Sequence, residues 1–164
     1  MDYLQVIQHK IIDKAYLSKL IANYRLKNQS IVFTNGCFDL LHLGHITYLA
    51  QAASLGNRLI VGINSDNSVQ KLKGMHRPIQ DEKSRSLIMA GLHVVSAVIV
   101  FDEDTPIELI KLIKPDVLVK GGDWEPAKII GADEVKTYGG EVKSIPFVDG
   151  YSTTAIETKI KAGH

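Results

Sequence analysis

The densest chemistry in the chain lies in one stretch, Thr34-Asn35-Gly36-Cys37-Phe38-Asp39-Leu40-Leu41-His42-Leu43-Gly44-His45. Two histidines three residues apart at a helix start lie on one side and reach a single ligand together. Where such a segment runs from a strand into a helix, free backbone N–H groups and the helix dipole favour anions, phosphate among them. Gly44 leaves no side chain where a nucleotide would approach the backbone. A His-x-x-His pair also suits a metal, but no cysteine cluster or third ligand at a familiar spacing accompanies it. A dinucleotide turn would need Gly-x-Gly-x-x-Gly and a P-loop Gly-x-x-x-x-Gly-Lys-[Ser/Thr]; neither occurs. On residue types alone the pair is either structural or catalytic.

Other segments add weight. Lys71, Lys73, His76, Arg77, Lys83 and Arg85 concentrate positive charge in a chain whose net charge is only +1. A solvated face explains Lys83, and nucleic-acid binding would call for interleaved aromatic residues, which are missing. Gly121-Gly122 lets backbone pass close to a ligand, and Trp124 after it either stacks on a base or sugar or packs inside. Ser152-Thr153-Thr154 offers three hydroxyls at a helix start where one suffices as N-cap, so phosphate binding is the better reading. Cys37 reads as a small buried hydrophobe. Asp39 either fixes the loop or His42, or only caps a turn.

These residues need elements to hold them. Helical spacing of Leu17, Leu20, Ile21 and Tyr24 predicts a helix over 13–27, and further helices are expected over 44–55, 82–92, 132–138 and from 152. Thr105 as N-cap and Pro106 at the first helical position open another. Short apolar runs predict strands at 31–33, 58–63, 97–101, 116–119 and 142–145. The basic, Gly/Pro-punctuated stretch 71–78 reads as a loop. Continuously apolar strands alternating with helices imply a parallel sheet covered on both faces, a Rossmann-like, doubly wound α/β fold of five strands. Ligands bind beyond the carboxyl ends of such strands. The polar segments 35–45, 64–78 and 120–124 all follow strand ends.

The 164 residues fit one domain, 1–164, with a helical extension over about 1–28 and a core over about 29–161. Apolar residues make up 45% and charged residues 23%, as in ordinary globular proteins. A near-neutral charge gives no pull towards nucleic acid or an anionic membrane. One cysteine precludes an internal disulfide, and no apolar run reaches the length of a membrane span. Asp2 and Gln5 break any secretory pattern at the N-terminus, which implies a cytoplasmic setting.

His42-Leu43-Gly44-His45 in its strand–loop–helix context resembles the hallmark His-x-Gly-His of the cytidylyltransferase-like nucleotidyltransferases. Gly150-Tyr151-Ser152-Thr153-Thr154 is similar to that family's second signature, and Lys120-Gly121-Gly122-Asp123-Trp124 to a third. Within the family the chain resembles most the adenylyltransferase domains of bacterial heptose enzymes, which make ADP-heptose from ATP and heptose 1-phosphate and are often fused to a sugar kinase. That likeness rests also on Asn64-Ser65-Asp66, Leu72-Lys73-Gly74, Arg77-Pro78 and Asp149-Gly150. The resemblance implies that His42, His45 and Lys73 are catalytic. It implies nucleotide contacts from Asn35, Gly36, Cys37, Phe38, Gly44, Arg85, Gly122, Asp123, Trp124, Ser152, Thr153 and Thr154, and substrate contacts from Asp39 and Lys71. ATP would be a substrate accompanied by Mg²⁺, with no dedicated carboxylate cage for the ion, and a homodimer is the family's usual state. Glu157 stands where many members carry an arginine. Phe147 stands where glycerol-3-phosphate cytidylyltransferases carry another, which favours heptose over glycerol phosphate. Rival readings are a different phosphorylated acceptor, such as glycerol 3-phosphate with CTP, and a non-catalytic nucleotide-binding regulator on the same fold.

Overall fold

The computed structural model describes residues 1–163. Five strands, β1 (Ile31–Gly36), β2 (Arg58–Asn64), β3 (Ala97–Phe101), β4 (Val117–Gly121) and β5 (Glu141–Ile145), form one sheet in the order β3-β2-β1-β4-β5. Every pairing is parallel, with Phe33 opposite Ile60 on one side and Leu118 on the other. The expected Rossmann-like, doubly wound α/β architecture is the one observed, with helices on both faces.

The continuous apolar strands divide their side chains between two cores. Phe33, Ile60, Ile99 and Leu118 face α2 (Lys14–Leu26), α6 (Ile107–Ile113) and α7 (Ala132–Thr137). Val32, Val61, Val98 and Val119 face α3 (Leu43–Ala53) and α5 (Glu82–Gly91). The period of two is therefore present but hidden, because both faces are covered. Leu17 and Tyr24 of α2 lie in the first cluster, so this helix belongs to the core rather than being appended to it. Before it, α1 (Tyr3–Gln8) lies against α5, and the chain then runs beside β3, where Ile12 N donates to Val98 O (2.9 Å) and Val98 N to Lys10 O (2.8 Å).

Two local expectations are corrected. The polar segment 64–78, to which the sequence assigns no helix, begins with one: α4 (Asp66–Lys73), its N-cap Ser65 accepting from Ser68 N at 3.0 Å. Only Ser68 and Val69 of this helix are buried, so its sequence carries almost no apolar stripe. Thr105 does not cap α6; Pro106 is the N-cap residue, and Glu108 supplies the negative charge in the first turn. The last helix, α8 (Thr153–Lys161), starts as expected, with Ser152 as N-cap, and buries no residue fully.

Candidate active site

The strand order reverses direction at β1, whose neighbours are β2 and β4. Beyond the carboxyl ends of β1 and β4 the two connections part, which is where open α/β sheets place ligands. A cavity opens there, lined by Asn35, Gly36, Cys37, Phe38, Asp39, His45, Tyr48, Lys73, Lys120, Gly121, Phe147 and Thr153. Four separate chain segments thus converge on it.

His42 is the N-cap residue of α3 and makes no capping bond through its side chain. Its ring stacks on that of His45 with centroids 3.9 Å apart. Nδ1 of both rings is buried without a hydrogen-bond partner, and the His45 ring forms part of the cavity wall. Burial lowers the pKa of His42. Burial also lowers that of His45, with His42 and Lys73 adding to the effect, and brings it down to about 4. Both imidazoles are therefore neutral near pH 7, each retaining one N–H donor. The Phe38 ring meets His45 edge-on at 5.4 Å. Phe38 adopts a left-handed conformation (φ 47°), and its ring packs tightly over Gly36, 3.0 Å from where a Cβ would sit.

Asp39 is 3% exposed and organises the loop. Its carboxylate accepts from Ile79 N (2.9 Å), Gln80 N (2.9 Å) and Arg77 Nη1 (2.8 Å). Burial alone would raise its pKa, but the Gln80 and Ile79 amides and Arg77 bring it below the ordinary value. The carboxylate is committed to these partners, so its role is to shape the His loop rather than to bind substrate. Arg77 also pairs with Glu157 of α8, tying that helix to the same loop.

Several expected ligand contacts fall elsewhere. Arg85 is 1% exposed and donates to Gln80 O (3.0 Å), Cys37 O (2.7 Å) and Asp66 Oδ1 (2.7 Å). Its guanidinium is used inside the protein, where it braces the Cys37 carbonyl, and is not free to clamp a phosphate. Lys71 is exposed, lies 3.9 Å from Asp104 and stays off the cavity wall. The space over Gly44 is filled by the His42 ring, 3.1 Å from where a Cβ would sit, so this glycine admits the histidine rather than an open approach to backbone. Gly122 needs its left-handed backbone (φ 111°), and the Trp124 indole packs over it while donating to Gly121 O (3.1 Å). Asp123 and Thr154 are exposed and line no cavity wall. Ser152 accepts from Ala155 N at 3.0 Å as a cap, while Thr153 faces the cavity.

Sequence reasoning did not single out Tyr48 or Lys120. Tyr48 is buried under the cavity, hydrogen-bonded to Thr34 and to Val119 O, and burial pushes its hydroxyl up to about 12. Lys120 faces a second cavity as well, lined by Asn35, Pro106, Leu118, Trp124, Lys128, Ile129 and Ile130. A lysine directly after the buried run Val117–Val119, at the carboxyl end of a central strand, is the one sequence signal it carries.

Residues 33–159 match the cytidylyltransferase-like family. The chain belongs to that family. Nucleotidyl transfer is the chemistry of this cytidylyltransferase-like domain. The chain is 50% identical over 163 residues to the "Bifunctional protein HldE" of Koribacter versatilis, covering 99% of this chain and 33% of that protein. It is 54% identical over 151 residues to the protein of that name from Trichlorobacter lovleyi, covering 92% of this chain and 31% of the other. The cytidylyltransferase-like chain thus spans about a third of the length of these relatives. Among solved structures, the lipopolysaccharide core biosynthesis protein from Thermoplasma volcanium is 31% identical with a TM-score of 0.61, covering 76% of this chain and 99% of that one. Pantoate-beta-alanine ligase from Francisella tularensis shares the fold at 18% identity and a TM-score of 0.59.

Proposed function

We propose that the domain transfers AMP from ATP to D-glycero-D-manno-heptose 1-phosphate, giving ADP-heptose and pyrophosphate. The observation that carries the reading is the stacked, neutral His42–His45 pair, of which His45 lines a cavity at the strand ends together with Lys73 and Thr153. The identity to proteins named bifunctional HldE, and the likeness to a lipopolysaccharide core biosynthesis protein, support the acceptor.

A phosphate nucleophile is ionised near neutral pH, so in-line attack on the α-phosphorus needs positioning and charge stabilisation more than a base. Imidazole N–H groups donate to the oxygens on which charge builds, in surroundings that burial has made water-poor. Lys73 and Thr153 line the same cavity and meet the triphosphate. Mg²⁺ enters with ATP. Among the described residues no group of three or more His, Cys, Asp or Glu could hold a metal ion, and the Asp39 carboxylate is already engaged, so phosphate oxygens are the ion's ligands.

The test is pyrophosphate release with Mg²⁺, crossing ATP and CTP against heptose 1-phosphate and glycerol 3-phosphate. Turnover with ATP and the heptose alone is expected. Turnover with another pair discards the acceptor, and silence from nucleotide-binding protein makes the domain a regulator.

A further inference from the structure

The two cavities at the strand ends have two lining residues in common, Asn35 and Lys120. The pairing of β1 with β4 brings these residues, far apart in sequence, onto one boundary. On one side lie the histidines' cavity, Lys73 and Thr153. On the other lies a mostly apolar hollow floored by Leu118, Ile129 and Ile130, with Pro106 and the half-exposed Trp124 on its walls. No histidine or hydroxyl side chain lines that second hollow, so it suits the body of a substrate rather than its reacting groups.

Lys120 is partly buried on this boundary and makes no ion pair or side-chain hydrogen bond among the described residues. Burial lowers its pKa, opposed only by the nearby Cys37. A buried cation without an acid is costly, and a bound anion offsets the cost. The other lysine of the second hollow, Lys128, already pairs with Glu125 at 2.8 Å.

We propose that Lys120 is a catalytic residue that holds the attacking phosphate of the acceptor at the boundary between the two cavities, with Asn35 beside it. The assignment rests on the reading of the domain as a nucleotidyltransferase for a phosphorylated sugar. Two substrates that react at one phosphorus must meet within about 3–3.5 Å. If one cavity holds the triphosphate and the other the sugar, the attacking phosphate lies between them, and Lys120 is the unpaired cation at that place. An oxygen of the acceptor phosphate forms the new bond to the α-phosphorus. The bond from that phosphorus to the bridging oxygen breaks, and pyrophosphate leaves with the electron pair. Lys120 keeps its proton throughout, its charge relieving the repulsion between two anions brought together.

Trp124 is the one tryptophan in the chain and lines the second cavity, so its fluorescence reports binding there. Wild type, Lys120→Met and Lys120→Arg would be titrated with inorganic phosphate, a sugar 1-phosphate and MgATP, followed by steady-state kinetics. Lys120→Met is expected to weaken both phosphates about tenfold or more and to leave MgATP within about twofold, with Lys120→Arg recovering part of the loss. Loss of ATP affinity equal to that of the acceptor would assign Lys120 to the triphosphate and overturn the proposal, as would unchanged phosphate binding. Circular dichroism of each variant controls for folding. Wild type that binds phosphate through Lys120 yet makes no pyrophosphate with the heptose discards the heptose reading and keeps Lys120. Active wild type with an indifferent Lys120→Met does the reverse.

Discussion

His45 carries an imidazole whose pKa is brought down to about 4, chiefly by burial, against an ordinary value of 6.5. The unfolded chain therefore binds more protons than the native one as pH falls through 6.5, and the native state loses stability between pH 6.5 and about 4. The slope approaches about 1.4 kcal/mol per pH unit while only the unfolded histidine is charged. Denaturant melts should show this acid loss, and His45→Gln should flatten it. Bound triphosphate favours the imidazolium, so ATP binding at pH 5.5 should take up protons, visible as a buffer-dependent heat in calorimetry. On the proposed role of His45 as a donor to the reacting oxygens, His45→Ala should lower kcat about 10²–10³-fold with the fold intact. Arg85→Met should act differently, because it leaves the Cys37 carbonyl and Asp66 without their partner. A stability loss on the order of 3 kcal/mol in urea, larger than any change in KM, would fit its interior position.

At the scale of elements, α8 buries no residue fully and reaches the rest of the molecule through Thr153, Ile156 and the Glu157–Arg77 pair. Arg77 joins α8 to the Asp39 loop, so one guanidinium sets the position of two cavity walls. Glu157→Gln should raise the KM for ATP severalfold at nearly constant kcat. Arg77→Met should lower kcat too, because it releases Asp39 and with it the His loop. The strands and most helices were legible because an apolar run or stripe betrays a buried element. Helix α4 was not, since its cap and two small buried contacts do the work usually done by a stripe. The His pair was legible because its geometry is local to one helix start. Lys120 was not, because its significance depends on β4 lying beside β1. Arg85 was read as a nucleotide contact for the same reason: a basic residue in a basic stretch looks free for phosphate until the fold closes over it.

Across the whole molecule, the sheet ends in two outer strands that are protected in different ways. β5 is five residues long and carries Glu141 and Lys143, paired at 2.9 Å. β3 is purely apolar, and its free side is met by the backbone of Lys10 and Ile12. Those two hydrogen bonds act as a plug against self-association, since an open apolar edge templates the addition of another chain. Removing residues 1–12 should therefore leave a domain that still binds ATP but aggregates on warming, with light scattering rising as the square of concentration at early times. The N-terminal segment lines neither strand-end cavity, yet it covers an edge along which one copy of the sheet could add to the next.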